Sequence, residues 1–415
     1  LGRKLTKMVV LALLGVLLAT LPGLVGCAKE EEARKEIVIG FMGDFTGPTA
    51  ATCVDLYKGM TDYFTMVEED DPIPGVKVKI ITYDTRMDYA RCPIGYVWLK
   101  GKGADIFFNF SPIFQEMLMD KHQKEKIPAF TFATSPPMVG EEWVYSLSIH
   151  FPWEAEAIME WILEEWWDYE EMQRSPMIGH VGIAGYESSE QVHEVLQALH
   201  ASDPDKFGFR ETFAPIGSTG WAVEISRLED CDFIIVDLFG PQMASFLAEA
   251  IARGYEGKFL GTSMSFLGFW DLAKSAARQL EDLDGALAMQ TQLVLTDDVP
   301  FVDQMRNNLE RFRPGEAETL GRGTSYMAAQ MAGLILEDMI RRAVAEVGAE
   351  NVDAVALNNA LKNIDMTVEG FGEAFKCHEG SNILHRMLRV VEYRVAEDDW
   401  FATTDWFLPP SLAGQ

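Results

Sequence analysis

The sequence predicts an α/β protein built from two successive units, each a mostly parallel sheet with helices on both faces. Short β-rich runs alternate with segments of helical period, and the alternation starts afresh after Pro152;. The chain has 415 residues, 48% of them hydrophobic, which is enough for two domains with sizeable cores;.

Residues 37–42 are the first β-rich run, after which Leu56, Met60, Phe64 and Val67 recur at helical spacing;. Residues 77–83 read as the next strand, 89–100 as a helix and 105–110 as a buried strand. Ser111-Pro112 opens the following helix, because serine suits the cap and proline the first helical position;. Residues 127–134 give another strand, closed by Ser135-Pro136-Pro137;. The second unit begins with a Glu- and Trp-rich helix from 153 to about 173, whose stripe Ile158, Trp161, Ile162, Trp166 and Tyr169 faces a core. Strand 177–184, helix 189–200, a Gly- and Pro-punctuated segment to Trp221, strand 232–238, helix 241–254 and strand 258–262 complete it. No short period repeats, which excludes a solenoid.

Ahead of these units stand Arg3, Lys4 and Lys7, an uncharged apolar run over residues 8–21, and Leu24-Val25-Gly26-Cys27. A positive start, an apolar core below the ~18 residues of a membrane span, and small residues before a cysteine make a lipoprotein signal over residues 1–26. A transmembrane anchor would leave Cys27 without a role; cleavage before it frees a thiol for a diacylglycerol, and two acyl chains hold a protein to a membrane far better than one. Residues 27–36, rich in Glu and Lys, are expected to be a solvated tether outside the fold;.

The formal charge of −29 becomes −32 once the three basic residues of the signal are removed. Such a surface repels nucleic acid and anionic lipid, and in the main it serves solubility. Cys53, Cys92, Cys231 and Cys377 lack the C-x-x-C spacing of a metal or redox site, and in an oxidising compartment they allow three pairings;. The expectation is a Cys53–Cys92 bridge, since both cysteines stand at helix beginnings in one unit. Cys231 and Cys377 are expected to stay apart.

Catalytic signatures are missing. Gly261-Thr262-Ser263-Met264-Ser265 lacks the second glycine of a nucleophile elbow, and residues 321–326 lack the third glycine and the preceding strand of a dinucleotide fingerprint;. There is no phosphate-cradling P-loop. His193-Glu194 is followed by Gln197 where a zinc helix needs a second histidine;. No cofactor and no metal are expected, and a binding protein is favoured over an enzyme.

Residues 36–48, reading EIVIGFMGDFTGP, together with the run 221–261 and the segments 324–342, 352–370 and 399–406, resemble in order and spacing the leucine/isoleucine/valine-binding protein family of type I periplasmic solute-binding proteins. The resemblance spans nearly all of residues 37–407. It implies a two-lobed fold with three hinge crossings, near residues 147–152, 289–293 and 388–390. Lobe I would be 37–148 plus 293–388, and lobe II 149–292 plus 389–407. The family's ligand sits between the lobes beyond the carboxyl ends of the strands, as the general rule for open α/β sheets requires. The implied role is a lipid-anchored, extracytoplasmic receptor delivering a small organic ligand to ABC permease subunits; a sensory receptor for a membrane partner is the alternative, and an extracytoplasmic hydrolase a remoter one.

Ser111 and Pro112 fall where the family places a ligand-contacting serine at a helix start, and Ala133, Thr134 and Ser135 where it donates hydrogen bonds to a ligand carboxylate. Amino-acid receptors of the family carry an acid after the strand that here ends at Gly261; this chain has Ser263. An ammonium would then depend on Asp237 or Glu187, because a buried cation without a carboxylate is costly. Free leucine, isoleucine and valine are therefore not the expected best ligands. Tyr186, Phe239 and Met264 are candidate walls, Phe45 a candidate cover, and their apolar character favours a hydrophobic or aromatic ligand.

Cys27→Ala is expected to move the protein from the membrane fraction to the soluble fraction of fractionated cells without loss of ligand binding. A mutant that still pellets with membranes would refute the anchor.

Overall fold

The computed structural model describes residues 34–263 and 265–412. The signal, Cys27 and most of the tether lie outside the described residues, as does Met264. Five parallel strands, β1 (Lys35–Gly43), β2 (Val76–Asp84), β3 (Ile106–Asn109), β4 (Ala129–Thr134) and β5 (Val144–His150), form the first sheet in the order β2-β1-β3-β4-β5. Ile39 at its centre pairs with Ile80 on one side and Ile106 on the other. The last two residues of the expected tether belong to β1: Lys35 and Glu36 pair with Val76 and Lys77, and Glu36 meets the Lys79 ammonium at 2.9 Å. Backbone pairing recruits them although their side chains are polar.

The connections between its strands are helices that pack on this sheet: α1 (Ala50–Asp70), α2 (Cys92–Gly101) and α3 (Pro112–Glu125). The step from β1 to β2 runs one way across the sheet and the steps through β3 to β4 the other. Right-handed crossovers therefore put α1 on one face and α2 and α3 on the opposite one;. This corrects the expected disulfide. Cys53, on α1, is packed with Ile39, Phe41 and Phe108, whereas Cys92, on α2, is packed with Met42, Tyr96 and Phe107. The sheet stands between the two, and both are free thiols, as are Cys231 and Cys377.

The second unit opens with α4 (Phe151–Glu160), which continues into one π-helical turn, Trp161–Trp166. The expected continuous helix to residue 173 breaks there. Trp167 is extended, and Asp168 caps the short α5 (Tyr169–Met172) by accepting from the Glu170 and Glu171 amides, each at 2.9 Å;. The widened turn shifts the stripe, so that Ile158, Trp161 and Ile162 are buried but Trp166 and Tyr169 are exposed;.

The second sheet holds β6 (Met177–Ile183), β7 (Gly208–Ala214), β8 (Phe233–Asp237), β9 (Lys258–Gly261) and β10 (Leu287–Gln290), all parallel. Its helices are α6 (Glu187–Ser202), α7 (Ala222–Leu228), α8 (Gly240–Ala252) and α9 (Trp270–Ala276). Strand β7 went unread in the sequence because it is an edge strand with exposed Arg210 and Glu211 breaking its apolar pattern.

After β10 the chain returns to the first unit as α10 (Pro300–Phe312), α11 (Ala317–Arg322), α12 (Thr324–Val347) and α13 (Ala354–Lys362), then forms a short antiparallel pair, β11 (Asp365–Met366) with β12 (Phe375–Lys376). It ends as β13 (Arg389–Arg394) and β14 (Asp399–Ala402), added antiparallel to β10, for the order β14-β13-β10-β9-β8-β6-β7. Three segments thus pass between the sheets.

Helix α12 lies parallel to α1 and very close to it. A Cβ on Gly59 would stand 2.5 Å from the Tyr326 carbonyl oxygen, and one on Gly333 2.6 Å from the Tyr63 ring. Asp62, 3% exposed, accepts from Arg313 Nε (2.9 Å), Arg313 Nη2 (2.8 Å) and the Tyr326 hydroxyl (3.1 Å). Where the second and third crossings run side by side, the buried Arg389 binds Asp297 Oδ1 at 2.9 Å and the Gln292 carbonyl at 3.2 Å, beneath the Trp406 ring.

Two measurements check this packing. In a Cys27→Ala background without reductant, a maleimide should tag four thiols in denaturant and react slowly with the native protein, where burial pushes the Cys92 thiol up to about 12;; a Cys53–Cys92 bridge would leave two tags. Asp62→Ala should lower the unfolding free energy in urea by about 3 kcal/mol, since it strands a partly buried guanidinium; a loss below ~1 kcal/mol would refute that role.

Candidate ligand-binding cleft

The carboxyl ends of the two sheets face each other, and between them lies a cavity of about 90 Å³. Thr49, Thr52 and Leu56 of α1 and its cap, Phe110 beyond β3, and Phe132 and Ala133 of β4 form one wall. Tyr186, Phe239, Ser263 and Phe269 form the facing wall, while Gln292 of the second crossing and Thr324 and Ser325 of α12 close the side. Larger hollows lie on the outer surface, one of about 720 Å³ beside Trp161 and Trp166 and one of about 930 Å³ beside Glu156 and Phe207. Neither is lined by the loops that follow the parallel strands, where ligands of such sheets bind.

The first wall carries two helix N-termini. Helices α1 and α12 run parallel, so both bring their N-termini, with the partial positive charge of the helix dipole, to the cavity, and the buried Asp44 carboxylate accepts from the Gly47 and Thr49 amides ahead of α1;. Neither is capped by a side chain. The Thr49 hydroxyl instead donates to Asp44 Oδ2 at 2.9 Å. The Thr52 hydroxyl and Gln292 Oε1 are buried and have no hydrogen-bond partner among the described residues. Such atoms are costly unless something arrives to meet them.

The facing wall is backed by acid. Glu154, fully buried in the first turn of α4, meets Ser263 with both oxygens: the Ser263 amide donates to Oε1, and its hydroxyl lies 3.1 Å from Oε2. Burial, with Asp237 adding repulsion, pushes the Glu154 carboxyl up to about 8;. Burial also raises Asp237, against the hydroxyls of Thr262 (3.1 Å) and Ser188 (3.5 Å), which donate to its carboxylate. No lysine, arginine or histidine forms an ion pair with either acid among the described residues. Position 263 lacks an acid, but an acid from another element stands directly behind it.

The sequence-predicted residues divide as follows. Ala133, Tyr186, Phe239 and Ser263 line the cavity, with the Tyr186 and Phe239 rings 5.0 Å apart. Ser111 caps α3 by position only: its buried hydroxyl makes no bond to the helix and has no partner among the described residues, and Pro112 follows in the first turn. Thr134 is buried, its hydroxyl 3.3 Å from the Ser135 carbonyl, and Ser135 donates to Glu116 Oε2 at 2.6 Å. Phe45 lies edge-on to Phe41 and Tyr57, at 5.4 and 6.1 Å, and is not part of the cavity wall. Asp237 is one layer behind the wall, and Glu187 follows Tyr186 at the edge of the cleft.

Sequence reasoning passed over Thr52, Phe110, Phe132, Phe269, Gln292, Thr324, Ser325 and above all Glu154. An acid in the first turn of a helix is ordinary, so Glu154 gave no signal. Thr324 and Ser325 stood in the sequence only within the rejected dinucleotide fingerprint of residues 321–326 and at the start of the family-like segment 324–342.

A profile of the periplasmic binding protein family matches residues 36–398. Comparison with curated proteins gives no match. Among solved structures, this chain is similar to a branched-chain amino acid ABC transporter protein from Thermus thermophilus with bound valine, at 14% identity and TM-score 0.77 over 91% of this chain and 97% of that one. A fatty acid ABC transporter substrate-binding protein from Thermomonospora curvata aligns at 14% identity and TM-score 0.74, over 90% and 92% of the two chains. An ABC transporter solute-binding protein from R. palustris in complex with 4-hydroxybenzoate aligns at 15% identity and TM-score 0.72, over 92% and 100%. At such identities the likeness establishes the fold. Two sheets with facing carboxyl ends, three connecting segments and a family profile over most of the chain agree: the protein belongs to the periplasmic binding protein family and has its two-lobed type I fold.

Proposed function

We propose that the protein is the extracytoplasmic receptor of an ABC importer, held at the membrane through lipidated Cys27, and that it binds a small organic ligand between its lobes without chemical turnover. Lobe I, residues 37–148 plus 293–388, and lobe II, residues 149–292 plus 389–407, close on the ligand by bending at the three crossings, and a permease takes the ligand from the closed form.

The observation that carries this reading is the polarity of the cavity. Two uncapped helix N-termini and the Thr52 hydroxyl on the lobe I side suit a carboxylate or other acceptor group;. Ser263 backed by Glu154, and the unpartnered Gln292 Oε1, suit a donor group, an ammonium included. Rings of Phe110, Phe132, Tyr186, Phe239 and Phe269 between these ends suit an apolar or aromatic body;. The ligand class is a small amino-acid-like or amide molecule, or a hydrophobic or aromatic carboxylate. Glu154 weakens the argument against amino acids drawn from Ser263, because it supplies a carboxyl that position 263 lacks.

Mass spectrometry of small molecules released from gently purified protein identifies the ligand without a prior guess, and calorimetry with that molecule follows. Thr52→Val and Gln292→Ala should each weaken it about tenfold, or about 1.4 kcal/mol. Saturation should lower the radius measured by small-angle scattering. Unaltered affinity in both variants together with an unchanged radius would overturn the reading.

A further inference from the structure

An apolar ridge on lobe I is left uncovered by the described residues. On α2, Ile94, Val97 and Trp98 recur at helical spacing, and they are 60%, 62% and 43% exposed;. Cys92, Tyr96 and Leu99 of the same helix fill the core beneath. Three large apolar side chains exposed together on one short helix mark a surface that meets something.

The charge around the ridge indicates what it meets. Residues 89–104 contain Arg91, Lys100 and Lys102 and no acid, in a chain whose formal charge is −29. Lys102 Nζ stands 5.7 Å from the centre of the Trp98 ring, and Lys121 Nζ, from α3, 5.4 Å from that of Tyr96. Lys124 and Lys126 are exposed at the end of α3. Their turn adjoins the one after α2, because the Phe107 amide donates to the Pro128 carbonyl at 2.9 Å. Two of the nearby acids are engaged: Glu125 accepts from Lys100 and from the Tyr96 hydroxyl, and Asp105 from the Val38 amide at 2.8 Å. Asp120 is the exposed acid on α3. Lys102, Lys121, Lys124 and Lys126 form no ion pair among the described residues.

An apolar ridge with tryptophan, rimmed by lysines, fits the interface of an anionic bilayer, where the ring sits at headgroup depth and the ammonium groups meet phosphate. The negative charge of the whole chain does not oppose this closely, since at physiological salt its field decays over ~8 Å. Connectivity selects a bilayer over a protein partner. The Asp105 amide donates to the Val38 carbonyl at 2.9 Å, so β1 begins beside the foot of α2. From Cys27 to Arg34 the chain spans at most roughly 25 Å. A lipid on Cys27 therefore keeps this end of lobe I within reach of the membrane.

We propose that the exposed side of α2, with the lysines of the turns at its foot, is a seat on which lobe I rests against an anionic bilayer. The proposal rests on the Cys27 anchor of the reading above. The seat alone binds loosely and reversibly, which is why an unanchored chain still leaves the membrane; the tether turns the contact into an intramolecular one and makes it an orientation. The foot of α2 lies at the amino ends of the strands and the cleft at their carboxyl ends. A chain so seated holds its cleft clear of the lipid and leaves lobe II free to swing.

Flotation of purified Cys27→Ala protein with vesicles at millimolar lipid tests this. Binding to equal parts phosphatidylglycerol and phosphatidylcholine should be at least about tenfold tighter than to phosphatidylcholine alone, and should be lost in 500 mM salt (on the order of the highest screening used). The double variants Val97→Ser with Trp98→Ser, and Lys102→Glu with Lys124→Glu, should each weaken it at least about tenfold. Arg253→Glu, on α8 of the second unit, makes the same charge reversal elsewhere and should bind as the parent does. Absence of binding to the anionic vesicles, face variants that bind like the parent, or an equal loss in Arg253→Glu would overturn the seat. So would a lipid-free dimer in sedimentation that the Val97→Ser, Trp98→Ser variant dissociates, which would give the ridge to a second copy. Cell fractionation judges the anchor separately. Release of Cys27→Ala from membranes without vesicle binding refutes the seat and keeps the anchor; vesicle binding without release refutes the anchor and keeps the seat.

Discussion

The packing of α12 along α1 is the contact on which the rest of the molecule depends. Gly59 and Gly333 let the two backbones approach to a distance that no side chain would permit. Gln330 then donates to the Gly59 carbonyl at 2.7 Å and accepts from Asn308 at 2.8 Å, while the Tyr63 hydroxyl donates to Glu337 at 2.5 Å. The first sheet thus obtains the cover of one face from a helix that follows all five parallel strands of the second sheet in the chain. A sheet completed by so late a segment obliges the chain to leave and re-enter, and the crossings are the result. The same parallel packing aims both N-termini at the cleft, so the contact that stabilises lobe I also sets the electrostatic character of its wall;.

The opposite wall is acidic by a different route. Its acids are buried, unpaired with bases among the described residues, and held by hydroxyls and one amide. Burial makes such carboxyls hold their protons more tightly than a surface acid, and a charge brought close acts on them more strongly than it would in water;. One wall is polarised by backbone dipoles and the other by titratable groups. A ligand lying across the cleft therefore meets fixed charge at one end and adjustable charge at the other.

Much of this was legible in the residue pattern, for physical reasons. Strands buried on both faces are continuous apolar runs, so β1, β3, β4 and β8 stood out, whereas the edge strand β7, half polar, did not;. Tyr186 and Phe239 were found because they stand just beyond strand ends, which face the cleft, and Ala133 and Ser263 because the family resemblance marks those positions;. Thr52, Gln292 and Glu154 stayed hidden: each reaches the site, or the layer behind it, through long-range packing that leaves no local mark. The Cys53–Cys92 pairing failed for the same kind of reason, since the face on which a helix lands depends on the direction of each crossover and not on local sequence. The π-helical turn at Trp161–Trp166 interrupted a stripe that spacing alone makes continuous.

The interleaved order of the chain also bears on how the protein comes into being. Gln330 reaches Gly59 across 271 residues, and β13 joins β10 only after the first lobe's helices have been made. At ~5–20 residues per second of synthesis, tens of seconds separate the emergence of the first sheet from the arrival of its missing helix. Until then Tyr63, Met60 and the surface of α1 that α12 will cover lack their partners. Neither lobe is complete while the chain is growing, so a nascent chain cannot lock prematurely into a native half.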